Sequence, residues 1–122
     1  MKPKALLLLY EPKSLYKNRK YFLRQGTNIL GSAPNCQLVL QGMPDKCVNI
    51  RIINNLLTVT RLSPHCKVDV DSNLQRGIRC SLEIGLEYVL PQGKEFYIGE
   101  WRALFEAQSA SDLEQLKNVA NR

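Results

Sequence analysis

Histidine is nearly missing from this sequence: His65 is the only one in 122 residues. A zinc site needs several His or Cys ligands at short spacing. The four cysteines, Cys36, Cys47, Cys66 and Cys80, are separated by long, irregular gaps with no Cys-x-x-Cys pair. A disulfide framework belongs to a secreted chain, and no secretory signal is present. All four are therefore expected to be free, mostly buried thiols in a reducing compartment. Long apolar runs are also lacking. The longest, Ala5–Leu9, has the length of a strand, far short of the roughly 20 residues of a membrane span. Tyr10-Glu11-Pro12-Lys13 follows it where a signal peptide would carry small residues.

Catalytic signatures are missing too. There is no glycine-rich phosphate loop before a helix and no Gly-x-Ser-x-Gly elbow. His65 and Cys66 are neighbours, but adjacent residues of an extended chain point to opposite faces, so base and nucleophile do not meet. Asp69 and Asp71 share one strand face beside Lys67, which reads as a solvated face rather than a cation site. No enzyme activity, cofactor or metal is expected.

What remains is an ordinary globular composition, 44% hydrophobic and 23% charged, of a length that fits one domain with a real core. The net charge of +6 is uneven: the first 24 residues hold Lys2, Lys4, Lys13, Lys17, Arg19, Lys20 and Arg24 against Glu11 alone. The basic residues are scattered and no aromatic stacking platform accompanies them, so a solvated loop is expected here rather than a nucleic-acid interface.

Short alternating segments between turn signals recur along the chain. Strands are expected at Ala5–Leu9, Lys20–Leu23, Asn28–Leu30, Gln37–Leu40, Val48–Ile53, Leu56–Leu62, Val68–Val70, Ser81–Glu87, Tyr88–Leu90, Phe96–Ile98 and Trp101–Phe105. Asn54-Asn55 marks the clearest hairpin, because Asn tolerates the positive φ of a tight turn. Many short strands with no helix between them predict an all-β, two-sheet sandwich over residues 1–108. Residues 109–122 predict a short C-terminal helix. Ser111 and Glu114 form a capping box, and Leu113, Leu116 and Ala120 form an apolar stripe. The chain begins at Met1 and ends with no structural stop, so it is expected to be the front of a longer protein, with the helix opening a linker.

The segment Asn28-Ile29-Leu30-Gly31-Ser32-Ala33-Pro34-Asn35-Cys36-Gln37-Leu38-Val39-Leu40 resembles the opening signature of forkhead-associated (FHA) domains. Leu90-Pro91-Gln92-Gly93-Lys94-Glu95-Phe96-Tyr97-Ile98-Gly99 resembles their closing signature. Together the likeness spans roughly residues 5–106 and implies a two-sheet β-sandwich. Gly26 to Gly31, with Pro34 and Cys36, is similar to the N-terminal FHA domain of the mediator of DNA damage checkpoint family, and to insect mutator-type members in particular.

FHA domains read phosphothreonine with loop residues at one end of the sandwich. Carried onto this chain, the place of the usual Arg is Ser32, and that of the usual Ser falls at Pro44-Asp45-Lys46. The usual His is Asn49, and the Asn-Gly pair falls near His65-Cys66. Of the set only Gly31 is kept. A phosphate needs charge-assisted donors, and a hydroxyl replaces a guanidinium fork. Gly31, Ser32, Lys46, Asn49, His65 and Cys66 thus read as a vestigial phosphopeptide site. The loss of the bracing His implies looser loops. By this resemblance the domain is expected to be a non-catalytic interaction module that has lost phosphothreonine binding. It is expected to mediate homodimerisation of a nuclear DNA-damage-response or chromosome-maintenance scaffold. Its partners would be a second copy and other proteins of that response or of chromatin, with no pairing surface indicated. The alternative is a phosphopeptide-binding FHA domain with a non-standard pocket.

Overall fold

A computed structural model describes residues 5–54, 56–71, 79–90 and 94–107. These form eleven strands: β1 (Ala5–Tyr10), β2 (Asn18–Leu23), β3 (Gly26–Gly31), β4 (Leu38–Val39), β5 (Val48–Ile53), β6 (Leu56–Arg61), β7 (Val68–Asp71), β8 (Arg79–Ser81), β9 (Glu87–Val89), β10 (Glu95–Ile98) and β11 (Trp101–Ala107). They make one six-stranded sheet, β2-β1-β11-β10-β7-β8, and one five-stranded sheet, β4-β3-β5-β6-β9. Every pairing is antiparallel except β3 with β4.

Alternation drives this arrangement. On β1, Leu7 and Leu9 face inward and are fully buried; on β5, Val48, Ile50 and Ile52 do the same. With β10's Phe96 and Ile98 and β11's Ala103 and Phe105 they form one core between the sheets. Burying one such large side chain contributes about 2 kcal/mol. The hairpin predicted at Asn54 is present, with Asn54 at φ 57 joining β5 to β6 in register Ile53 opposite Leu56.

Two expectations need correction. The alternating run Ser81–Glu87 is not a single strand: β8 ends at Ser81, only an isolated bridge at Ile84 follows, and Gly85 turns the chain at φ +82. Asp69 is not on a solvated face. It is largely covered, and Ser81 Oγ–H donates to its carboxylate at 2.6 Å. The C-terminal helix expected at 109–122 lies outside the described residues.

The sheet registers set which loops meet. At one end of the sandwich Tyr10 stands opposite Arg102, and Ile98 opposite both Trp101 and Val68. The β1–β2 loop, the β10–β11 turn and the β6–β7 loop therefore share that end. β3 finishes and β5 begins there as well, Leu30 standing opposite Val48 and Val48 opposite Arg61.

Candidate functional site

At this end the β3–β4 loop (32–37), the β4–β5 loop (40–47) and the β6–β7 loop (62–67) are bound together. Ser32 N–H donates to the Pro44 carbonyl at 3.0 Å, and Ala33 N–H to the Asp45 carbonyl at 3.2 Å. The same Asp45 oxygen accepts the Cys36 thiol at 3.2 Å. Cys47 N–H donates to Leu30 O at 2.8 Å, and Leu62 N–H to Cys47 O at 3.0 Å. Gly31 sits where this chain crossing is tightest: a Cβ there would overlap the Asp45 carbonyl and the Lys46 Cα. Only glycine lets the two segments approach so closely.

Cys47 and Cys66 are disulfide-bonded, their Cα atoms 5.8 Å apart. This corrects the expectation of four free thiols. Cys36 is free and buried, and Cys80 is free and exposed. The pair was invisible in the sequence because its members lie 19 positions apart. The β5–β6 hairpin folds back and returns the chain beside its starting point.

The β6–β7 loop has a second brace that the sequence reading missed. The half-buried Arg61 guanidinium donates from Nε to the carbonyls of Ser63 (3.0 Å) and Cys66 (2.8 Å). Its Nη2 donates to Pro64 O (3.0 Å) and its Nη1 to Leu82 O (3.2 Å). Ser63 Oγ accepts His65 N–H at 3.1 Å. A rigid planar fork that gathers several carbonyls suits Arg and no other residue. The signal in the sequence was an Arg ending an alternating strand directly before Ser63-Pro64. The resemblance implied looser loops; this loop is braced by Arg61.

All six residues read as a vestigial site lie at this end, Asn49 one residue inside the start of β5. Gly31 is buried, Ser32 half-buried, Lys46 and His65 exposed, and Cys66 buried within the disulfide. Asn49 is the second residue of β5, directly after Val48, on the strand's outer face opposite Thr60 and Ile29, and its Oδ1 is buried with no hydrogen-bond partner among the described residues. Asp45 has an exposed side chain, and its carbonyl, not its carboxylate, turns inward. Among the described residues the Ser32 hydroxyl, the Lys46 ammonium and the His65 ring have no partner, so they are the donors left for a ligand. The backbone N–H groups of Ser32, Ala33 and His65 are spent within the protein.

No protein-family model matches this chain, and no curated protein sequence does either. Solved structures do. The FHA domain of the CT664 protein from Chlamydia trachomatis superposes with a TM-score of 0.66 at 20% identity, covering 87% of this chain and 99% of that one. The fold is that of forkhead-associated domains. The MEK1 FHA domain, solved with a HOP1 phosphothreonine peptide, gives a TM-score of 0.62 at 14% identity over 88% of this chain and 99% of that one. The FHA-like sandwich also matches the cytoplasmic domain of the type III secretion sorting-platform protein PscD from P. aeruginosa. There the TM-score is 0.65 at 17% identity, over 87% of this chain and 82% of that one. At these identities the likeness is one of fold.

Proposed function

We propose that this FHA-like sandwich is a non-catalytic protein-interaction module that does not read phosphothreonine through its loop end and that assembles with a second copy of itself. The consumption of loop donors carries the first half. A phosphate bears about −1.5 to −2 charges and is held by several charged or backbone donors. Here the backbone groups of Ser32 and Ala33 are committed to Pro44 and Asp45, and a hydroxyl stands where a guanidinium fork would be needed.

The second half rests on the outer face of the five-stranded sheet. Ile53, Leu56 and Val89 are each about half exposed there, at 45%, 51% and 51%. They are rimmed by the Arg51–Glu87 ion pair at 2.9 Å. An apolar face beside the short edge strand β9 favours a matching face. The likeness of Gly26 to Gly31, Pro34 and Cys36 to the mediator family supports a nuclear scaffold of the DNA damage response as the setting, where a reducing environment would hold Cys47 and Cys66 as a thiol pair.

A second reading is a phosphopeptide reader with a rebuilt pocket, favoured by Lys46 and His65, both exposed and unpaired. The MEK1 FHA domain of this fold has been solved with a phosphothreonine peptide, and EmbR, which shares the fold, with a low-affinity phosphopeptide. Sedimentation over a concentration series, with and without phosphothreonine peptide, separates the two. A dimer indifferent to peptide, and broken by Leu56→Asp with Val89→Asp, supports the first. A monomer that binds the peptide supports the second.

A further inference from the structure

Outside the loops just described, the β1–β2 loop holds the two most exposed apolar side chains of the described residues, Leu15 at 73% and Tyr16 at 86%. They are not loose. Glu11 N–H donates to Lys17 O at 2.9 Å and Ser14 N–H to Glu11 O at 3.1 Å, closing the loop on itself. The Ser14 hydroxyl oxygen accepts the N–H groups of Tyr16 (3.3 Å) and Lys17 (2.9 Å). Asn18 Nδ2 donates to Tyr16 O at 3.1 Å. Lys13 takes the left-handed conformation, φ 62, to make the turn. The backbone is thus tied while Leu15 and Tyr16 are held out in water, an arrangement with no use in the isolated domain.

The loop itself is mainly basic, with the exposed Glu100 in the β10–β11 turn at the same end. Lys13, Lys17, Arg19 and Lys20 are all exposed, and the only acid in this stretch is Glu11. Neither Lys13 nor Lys17 has an ion-pair partner among the described residues. Arg19 lies over the Trp101 ring, 5.8 Å from its centroid, and keeps its charge uncompensated. Apolar anchors within a basic rim fit a surface with the opposite rim.

We propose that Leu15 and Tyr16 form a preorganised knob that docks an acidic segment of a partner protein, the two side chains packing against an apolar residue of that segment while Lys13, Lys17 and Arg19 face its carboxylates. Two apolar side chains are too little to hold a bilayer, where even one acyl chain binds marginally. A single ring beside a leucine offers no stacking series for nucleic acid. Holding the knob rigid before contact removes ordering cost, which favours a specific protein ligand. This surface is separate from the self-association face, and either can fail without the other.

The test is selection of a random peptide library on the intact chain, with counter-selection against a Leu15→Ser/Tyr16→Ser variant. The expected consensus is an apolar residue flanked by Asp or Glu. A selected peptide should shift the amide resonances of residues 13–19, weaken with added salt, and lose about tenfold or more in affinity in the serine variant. Lys13→Glu with Lys17→Glu should weaken it as well, while the unchanged remainder of the spectrum shows the fold intact. Failure to enrich acidic peptides overturns the proposal, as does equal binding by the serine variant. Recruitment through this loop to phosphatidylserine vesicles or duplex DNA instead of acidic peptides overturns it too. Movement of the loop resonances on simple dilution does likewise, since a second copy would then be the occupant.

Discussion

Arg61 and Cys66 meet at 2.8 Å, guanidinium Nε–H to backbone carbonyl, and through that contact one side chain sets the path of the whole β6–β7 loop. The same guanidinium reaches the carbonyls of Ser63, Pro64 and Leu82. Truncating it leaves several partly buried acceptors unsatisfied. Arg61→Ala is expected to cost about 3 kcal/mol in chemical denaturation. Arg61→Lys should recover less than half of this, since an ammonium cannot span the same carbonyls. Hydrogen exchange at residues 62–67 should accelerate in both.

The Cys47–Cys66 bond closes a loop of 19 residues. Chain-entropy arguments give such a link about 3 kcal/mol. Oxidised protein should therefore melt well above protein held in dithiol reductant, and Cys47→Ser with Cys66→Ser should melt near the reduced form. Both sulfurs are buried, so reduction should be slow without denaturant. Equal melting of oxidised and reduced protein would remove the bond from the account of the fold.

Gly31→Ala places a methyl group against backbone, where no flexible side chain can yield. The expected cost is about 1–3 kcal/mol, accompanied by shifted amide resonances at Asp45 and Lys46. A neutral result would show that the two loops separate easily.

Asn28 is 2% exposed. Its Oδ1 accepts Arg24 N–H, and its Nδ2 donates to the carbonyls of Arg24, Gly26 and Ile50. Asn28→Asp keeps the shape, removes every donation and sets a carboxylate among carbonyls. It should destabilise by more than Asn28→Ala, itself expected at about 2 kcal/mol. The order of the two melting temperatures checks this.

Ser32→Arg restores the guanidinium that FHA domains usually carry at this place. Under the proposed function, in which spent loop donors bar phosphothreonine, this single change should leave phosphothreonine peptide binding weaker than about 1 mM by titration calorimetry. Tight binding from that substitution alone would mean the loops were competent all along.

Much of the fold was legible locally. The alternation at Val48–Ile53 and Leu56–Arg61, with Asn54 between, fixes a hairpin, because side-chain period and turn conformation are properties of neighbouring residues. The run at Ser81–Glu87 misled for the same reason: its alternation is real, yet Gly85 and the single bridge to Arg61 leave Ile84 and Leu86 in water. Pattern alone does not say whether a partner strand is there.

The sequence by itself determined an all-β sandwich and the β5–β6 hairpin within it. Only the tertiary structure decided that Cys47 meets Cys66, that the Arg61 guanidinium reaches Leu82 as well as its own loop, and that the Ser32 and Ala33 amides are already spent. The disulfide, the Arg61–Leu82 bond and the amide bonds to Pro44 and Asp45 join residues 12 or more positions apart. Periodicity, turn chemistry and composition act between near neighbours, whereas pairings across the molecule are set by how eleven short strands stack and which loops that stacking brings to one end.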